Sequence, residues 1–104
     1  MRQLSAQQAA TLLAQGRARL LDVREAWEYE LVHVDGALHV PMGEIPSRCA
    51  ELPADEPLIV ICHHGMRSLQ VAQFLAARGF ADVANLDGGI DAWAAAVDPT
   101  LARY

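Results

Sequence analysis

The chain contains no lysine, and all eight of its basic residues are arginines. These arginines are scattered from Arg2 to Arg103 without a basic run, and aromatic residues make up only 6% of the chain. Thirteen acidic residues give a formal net charge of −5. Because nucleic-acid-binding surfaces need clustered cations, the sequence gives no support for a nucleic-acid partner.

Long apolar segments and a cysteine framework are also missing. No apolar stretch approaches the length that crosses a membrane, and residues 1–8 lack the charged and apolar regions of a signal peptide. The two cysteines, Cys49 and Cys62, are too few for a disulfide framework. We therefore expect a cytoplasmic protein without a membrane partner. Cys49 is expected to pack within a helix, with a resolving-thiol role as the alternative.

The residues that are present have the composition of a folded domain. Hydrophobic residues make up 53% of the 104 residues and charged residues 20%, which is ordinary for a globular protein. A chain of this length can bury one ordinary hydrophobic core. No internal repeat, linker or low-complexity segment divides it. The sequence therefore predicts one domain over residues 1–104.

Short strands and helices alternate along the chain. Apolar runs predict five strands, at 2–4, 18–23, 38–40, 58–61 and 83–86. Helical patterns lie at 6–14, 26–31, 44–52, 68–78 and from residue 90. Within 44–52, Pro46 fits best in the first turn. This alternation predicts an α/β fold, with a central parallel sheet of about five short strands flanked by helices on both faces. The run 58–61 has no polar alternation, which places it in the middle of the sheet.

Cys62 directly follows that central strand and begins the loop Cys-His-His-Gly-Met-Arg-Ser. Ligands of parallel α/β sheets bind at the carboxyl ends of the strands. The N–H groups of such a loop and the dipole of the following helix lower the pKa of a thiol. Ser68 is expected to cap that helix, which Gly79 ends, and Gly65 to permit a positive φ or a close backbone approach. The apolar stripe of the helix is predicted at Leu69, Ala72, Leu75 and Ala76. Cys62 is therefore predicted to be a nucleophile.

The chain resembles the rhodanese (sulfurtransferase) family over nearly its whole length. The resemblance rests on Leu21-Asp22-Val23-Arg24-Glu25, Glu28-Tyr29, His33-Val34-Asp35-Gly36-Ala37, Val40-Pro41, the Cys62 loop, Gly79-Phe80, Leu86-Asp87-Gly88-Gly89-Ile90 and Ala92-Trp93. Two positions depart from the family pattern: Val32, where Gly often precedes His, and Asp35, where Pro is common. Both lie outside the cysteine loop. The resemblance implies one rhodanese-like domain.

What the resemblance implies is a sulfurtransferase that needs no cofactor. Cys62 would take the outer sulfur of thiosulfate or a similar donor as a persulfide, and pass it to cyanide or a thiol acceptor. Loop N–H groups from His63 to Ser68 would stabilise the anionic persulfide. Arg67 would either orient the dianionic donor or brace the loop by bonding a neighbouring carboxylate.

The other loop residues are candidates for the substrate-binding site, namely His63, His64, Gly65, Met66 and Ser68. The imidazoles are expected to shape the mouth of the pocket. Adjacent residues on a tight loop tend to point apart, so His63 and His64 form a poor chelating set and no metal is expected. Met66 is either an apolar wall of the entrance or a surface residue.

Several residues outside the loop are assigned supporting or structural roles. Asp22 and Arg24 end the second strand, on the same sheet edge as Cys62. They are expected to tie loops together on the active-site side, with contact to substrate as the alternative. His33 is expected to bond backbone groups in its own turn. Trp27 and Trp93 are interpreted as residues of the core or its rim.

Two other functions remain open at the level of sequence. A cysteine phosphatase or arsenate reductase is one, because related folds carry a cysteine-to-arginine loop around phosphate. Those phosphatase loops hold one residue more than the four that separate Cys62 from Arg67, and the tighter loop favours a sulfane sulfur. The other is a persulfide carrier or binding module for a partner protein in sulfur trafficking.

Overall fold

The computed structural model describes residues 1–104, and five parallel strands form its centre. The strands are β1 (Arg2–Leu4), β2 (Arg19–Asp22), β3 (Leu38–His39), β4 (Leu58–Ile61) and β5 (Val83–Leu86). Their order across the sheet is β1-β5-β4-β2-β3, and every pair is parallel. All four residues of β4 are buried. The prediction of a parallel α/β sheet with residues 58–61 at its centre is confirmed.

Four α-helices connect the five strands, and a fifth follows the last strand. They are α1 (Ala6–Ala14), α2 (Ala26–Leu31), α3 (Ile45–Arg48), α4 (Met66–Ala77) and α5 (Gly89–Ala96). Ser5 caps α1 through a capping box with Gln8, which satisfies backbone N–H groups that a helix start leaves open. None of these helices has the length and apolar character that a membrane-spanning segment needs.

The segment 44–52 is not the single helix that the sequence predicts. Short 3₁₀ turns at Met42–Glu44 and Cys49–Glu51 flank the one-turn helix α3. Pro46 lies in the first turn of α3, as expected, because it lacks an N–H and clashes with a helix extended further back. Cys49 is half-buried and packs against the hydrophobic core, with its thiol 3.7 Å from the carbonyl oxygen of Pro46. The expected packing role of Cys49 is confirmed.

Two hydrophobic clusters cover the two faces of the sheet. The first contains Leu58, Val60 and Cys62 together with residues of α4. The second contains Ile59 and Ile61 together with residues of α1 and α5. Because successive side chains of a strand point to opposite faces, the two clusters lie on opposite sides of β4. Helices therefore flank both faces, as predicted.

The start of α4 differs from the prediction. The helix begins at Met66, after Gly65 at φ 103°, and Ser68 is a buried residue of its first turn. The prediction that Ser68 caps this helix is wrong, because Gly65 can adopt the left-handed conformation that turns the loop into the helix. This leaves the Ser68 hydroxyl free to face Cys62 rather than the backbone.

The buried face of α4 is rotated from the predicted one for the same reason. Ser68 points inward, so the residues three, four and seven positions later share its face. These are Val71, Ala72 and Leu75, all buried. Of the predicted stripe Leu69, Ala72, Leu75 and Ala76, the first and last are only half-buried. The helix nevertheless ends as expected, with Gly79 at φ 95° directly after its cap.

Candidate active site

The site lies where the carboxyl ends of three parallel strands meet. The register pairs Asp22 at the end of β2 with Ile61 at the end of β4, and it pairs Asn85 of β5 with Val60. Cys62 is the next residue after β4. Chain direction and register therefore bring Asp22, Cys62 and Asn85 to one edge of the sheet, which is where ligands bind in folds of this kind.

The sulfur of Cys62 is buried and lies within hydrogen-bond distance of two donor groups. Only 1% of the residue is exposed. The Gly65 N–H donates to Sγ at 3.1 Å, and the Ser68 hydroxyl lies 3.3 Å from Sγ, where its proton can be directed to the sulfur or to Asn85. Donors that converge on a sulfur in a low-dielectric site favour its anionic form. The arrangement is therefore suited to a thiolate or to an anion attached to that sulfur.

The carbonyl groups of the loop are held away from the sulfur by α5. Ile90 N–H donates to the Cys62 carbonyl at 2.8 Å, and Asp91 N–H donates to the His63 carbonyl at 3.2 Å. Gly89, at φ 63°, allows this approach, because a Cβ there would overlap both carbonyls. In a trans peptide the next N–H points opposite to the carbonyl, so the following N–H groups are directed away from α5.

Asn85 supports the loop from the neighbouring strand. It is 1% exposed, and its Oδ1 accepts a bond from Ser68 Oγ at 2.5 Å. Its Nδ2 donates to the Gly65 carbonyl at 3.2 Å and to Gln3 Oε1 at 2.9 Å. A hydroxyl has one proton, so Ser68 can donate to Asn85 or to the sulfur but not to both at once. Asn85 thus positions both groups that bond Cys62.

Gly65 and Met66 occupy the turn from the loop into α4. Gly65 has the expected positive φ, and a Cβ on it would lie 3.1 Å from the backbone nitrogen of Gly88. Both expectations for this glycine, the positive φ and the close approach, are confirmed. Met66 is 71% exposed, so its side chain lies at the rim of the site rather than within it.

Arg67 is held by a buried carboxylate. Its Nη1 and Nη2 donate to Oε1 and Oε2 of Glu28 at 2.7 and 2.9 Å. The Glu28 side chain is 4% exposed and that of Arg67 is 35% exposed. The bonds from Arg67 lower the pKa of Glu28 to about 2 even though burial acts to raise it. Of the two roles considered for Arg67, the geometry is that of the brace.

Tyr104 completes this network from the far end of the chain. Its hydroxyl donates to Glu28 Oε2 at 2.6 Å and accepts from Arg24 Nη1 at 3.0 Å. Its ring stacks on His63, with centroids 3.8 Å apart, and meets Trp27 edge-on. Burial, together with the bond to Glu28, raises the pKa of Tyr104 to about 12. The Tyr104 hydroxyl is therefore protonated at neutral pH and acts as a donor.

The interpretation of Trp27 as a core or rim residue is wrong. Its side chain is 62% exposed. Since α2 turns Glu28 inward to meet Arg67, the preceding residue of this short helix faces outward. Trp93, on α5, is buried in the second hydrophobic cluster as expected.

Asp22 and Arg24 form a buried ion pair beside the site. Arg24 is 0% exposed and Asp22 is 1% exposed, and their Nη2–Oδ2 distance is 2.7 Å. Arg24 also donates to the carbonyl of Val32 at 2.6 Å, which ties the end of β2 to the end of α2. His33 Nδ1 lies 2.8 Å from the carbonyl oxygen of Tyr29. The supporting roles expected for these residues agree with the structure.

The two loop histidines lie against each other instead of pointing apart. The rings of His63 and His64 stack with centroids 3.8 Å apart, and the ring of Tyr104 also stacks on His63. Ligand atoms of His63, His64 and Asp91 come within 4.8 Å of one another. Both oxygens of Asp91, however, accept bonds from Arg103 at 2.9 and 3.1 Å, so a cation would have to compete with that arginine.

Sequence reasoning assigned no role in the site to Glu28, Asn85 or Tyr104. Glu28 follows Glu25 at the spacing of a capping box, and it does accept a bond from the Glu25 N–H. The sequence pattern around Glu28 therefore indicates helix capping and gives no sign of its contact with Arg67. Asn85 is the polar residue in the apolar run 83–86, which is the signal that could have revealed it. Nothing in the sequence around Tyr104 indicates that its side chain returns to the site.

Comparisons with known proteins agree with this architecture. A family model described as the rhodanese-like domain matches residues 5–96. The chain is similar to a rhodanese-related protein from Thermoplasma volcanium, with 26% identity, a TM-score of 0.88 and 100% coverage of both chains. It is similar to a rhodanese-like domain protein from Staphylococcus aureus, with 27% identity, a TM-score of 0.85 and coverage of 100% and 99%. A human single-domain sulfurtransferase is 27% identical, with a TM-score of 0.83 and coverage of 92% and 97%.

Proposed function

Because the chain belongs to the rhodanese-like domain family, we propose that it is a sulfurtransferase that works through a persulfide on Cys62. The Cys62 thiolate attacks the outer sulfur of a sulfane donor such as thiosulfate. A new S–S bond forms, the S–S bond of the donor breaks, and sulfite leaves with the electron pair. A thiol or cyanide then removes the outer sulfur and regenerates the thiolate.

The observation that carries this proposal is the pair of donors on the buried Cys62 sulfur. The Gly65 N–H and the Ser68 hydroxyl lie 3.1 and 3.3 Å from Sγ. Both the attacking thiolate and the persulfide are anions, and each is stabilised by donors that are already in position. Burial strengthens these bonds because no water screens them.

The start of α4 adds to this stabilisation. The helix has 12 residues and begins four positions after Cys62. The unpaired N–H groups and the dipole of a helix start favour negative charge nearby. The proposed reaction therefore places its anionic sulfur where the fold favours negative charge.

The test is intact-mass analysis after treatment with thiosulfate or with glutathione persulfide. Wild type and Cys49→Ser are expected to gain one sulfur atom, which cyanide then removes. Cys62→Ser is expected to gain none. Retention of the cyanide-labile sulfur in Cys62→Ser, or failure of wild type to gain sulfur from either donor, would overturn the proposal.

A further inference from the structure

The three arginines around the Cys62 loop are all paired with carboxylates. The pairs are Arg67 with Glu28, Arg24 with Asp22, and Arg103 with Asp91. Two arginines have no carboxylate partner: Arg17, just before β2, and Arg78, just after α4. Those positions are at the sheet edge opposite Cys62. The active-site edge therefore carries no unbalanced arginine charge.

Arg67 is the arginine closest in sequence to Cys62, and a buried carboxylate balances its charge. Both of its terminal nitrogens bond the buried Glu28 carboxylate, and Tyr104 donates to the same carboxylate. The pKa of Glu28 is about 2, so this carboxylate is ionised at neutral pH. Turning Arg67 toward a substrate would leave a buried carboxylate without its cation, which is strongly unfavourable.

Arg67 nevertheless lies within electrostatic reach of the sulfur. Arg67 directly precedes Ser68, whose hydroxyl lies 3.3 Å from Cys62 Sγ. The bonds to Glu28 are the main cause of the raised pKa of Arg67, and a negative charge on the sulfur would act in the same direction. A change in how fully Glu28 balances the charge of Arg67 would therefore change the electrostatic potential at the Cys62 sulfur. Glu28 acts here through Arg67 and does not itself touch the sulfur.

We infer that the site accepts sulfur from thiol persulfides in preference to thiosulfate, and that Glu28 is the positioning residue that sets this preference. The inference rests on the proposed function. Thiosulfate approaches as a dianion and sulfite leaves as one, whereas a persulfide approaches as a monoanion and leaves a thiolate. Beside an anionic nucleophile, on a chain with a net charge of −5, the dianion is repelled more strongly.

The transfer from a persulfide is balanced without any oxidant or reductant. The Cys62 thiolate forms a bond to the outer sulfur of R–S–S⁻, and the S–S bond of the donor breaks. The electron pair of that bond leaves with R–S⁻, which then takes a proton from water. Cys62 retains the sulfur as a persulfide anion, ready for a thiol acceptor.

The first experiment compares donors in wild type and Glu28→Gln. Glutamine can still accept a bond from Arg67, but it no longer balances the charge. Wild type is expected to show a higher kcat/KM with cysteine persulfide, which is a net monoanion, than with thiosulfate. Since the logarithm of an electrostatic rate effect scales with the donor charge, Glu28→Gln should raise kcat/KM about tenfold for thiosulfate and about threefold for the persulfide. The gain with thiosulfate should decrease as salt is added.

Glu30→Gln is the matched control. Glu30 is an exposed residue of the same helix, so this variant removes the same charge without releasing Arg67. Its ratio of kcat/KM values for the two donors is expected to equal that of wild type. If the ratio of kcat/KM values for the two donors changed as much in Glu30→Gln as in Glu28→Gln, the effect would be one of overall charge. That result would overturn the assignment to Glu28.

The double variant Glu28→Gln/Arg67→Gln keeps the inference testable if Glu28→Gln alone does not fold. It removes both charges and leaves an amide pair in their place. We expect both donors to lose the same factor in kcat/KM relative to wild type. A larger loss with thiosulfate would show that Arg67 contacts the dianion and would contradict the inference.

The inference and the proposed function fail in different ways. A wild-type kcat/KM that is higher with thiosulfate, or an unchanged donor ratio in Glu28→Gln, would overturn the donor preference while Cys62 still gains sulfur. Absence of sulfur on Cys62 with both donors would instead overturn sulfur transfer itself.

Discussion

Glu28 connects three parts of the site through its buried side chain. Its carboxylate accepts bonds from Arg67, from the Tyr104 hydroxyl and from the Glu25 N–H. It therefore joins the Cys62 loop to the start of α2 and to Tyr104. Because three donors converge on a buried carboxylate, the folded protein favours its ionised form and resists its protonation.

This predicts an acid-dependent loss of stability at one residue. The pKa of folded Glu28 is about 2, below the ordinary value of 4.5. Its ionised form therefore stabilises the fold above pH 4.5, and that contribution is lost as the pH falls from there toward 2. Allowing for the solvent exposure of Arg67, we expect wild type to lose about 2 kcal/mol more than Glu28→Gln over this interval. Urea unfolding as a function of pH measures the difference.

Glu30→Gln serves as the control for this measurement. It is expected to follow the pH dependence of wild type, because Glu30 is exposed and makes no comparable contact. Equal acid sensitivity in wild type and Glu28→Gln would contradict the role given to the buried carboxylate.

Among the elements, α5 determines which way the Cys62 loop faces. Its first N–H groups, those of Ile90 and Asp91, bind the carbonyls of Cys62 and His63. In most helices these N–H groups bond a capping side chain or water. Here they hold the nucleophile's own backbone, so the position of α5 and the orientation of the loop are coupled.

Gly89→Ala is expected to separate the Cys62 loop from the start of α5. A Cβ at Gly89 would overlap the carbonyls of Cys62 and His63, so the loop must move. Gly79→Ala is the matched control, because Gly79 also has a positive φ, of 95°, but no atom lies within 4 Å of its added Cβ. Gly79→Ala should lose about 1–2 kcal/mol from backbone strain alone.

The two variants are compared by urea unfolding and by the rate at which Cys62 gains sulfur. Gly89→Ala should lose more stability than Gly79→Ala and should form the persulfide at least about tenfold more slowly, a factor that corresponds to about 1.4 kcal/mol. Equal stability and equal rates in the two variants would show that the contact with α5 does not shape the loop.

Element boundaries were predictable where the pattern was strong and local. The bounds of β4, β5 and α2 were predicted correctly, because each is a compact run between clear turn signals. The start of α4 was not predicted correctly. Ser68 is a favourable N-cap residue, but Gly65 adopts the left-handed conformation and caps the helix instead. The nucleophile itself could be located because strand, loop and helix are adjacent in sequence. Its partners Glu28, Asn85 and Tyr104 come from other elements, which no local pattern specifies.

At the scale of the whole molecule, Tyr104 links distant parts of the chain. Its hydroxyl contacts Arg24 and Glu28, which are 80 and 76 positions earlier. Its ring stacks on His63, the neighbour of Cys62. Tyr104 therefore connects the end of β2, helix α2 and the Cys62 loop at the active-site edge.

Two substitutions separate the hydroxyl of Tyr104 from its ring. Tyr104→Phe keeps the stacking on His63 and removes bonds to Glu28 and Arg24, so a stability loss of about 1–2 kcal/mol is expected. Tyr104→Ala removes the stacking as well and should be less stable still. In a Cys49→Ser background, iodoacetamide should alkylate Cys62 faster in Tyr104→Ala than in Tyr104→Phe. Identical alkylation rates would show that the ring does not order the loop.

The alternation of side chains along β4 also determines which insertions and deletions would keep the thiol on its face of the sheet. Leu58, Val60 and Cys62 share one face of the sheet, and Ile59 and Ile61 share the other. The thiol therefore lies on the same face as Leu58, because Cys62 is an even number of residues after it. Inserting or deleting one residue in β4 would turn the thiol toward α1 and α5, on the face opposite Ser68. A change of two residues would preserve its side.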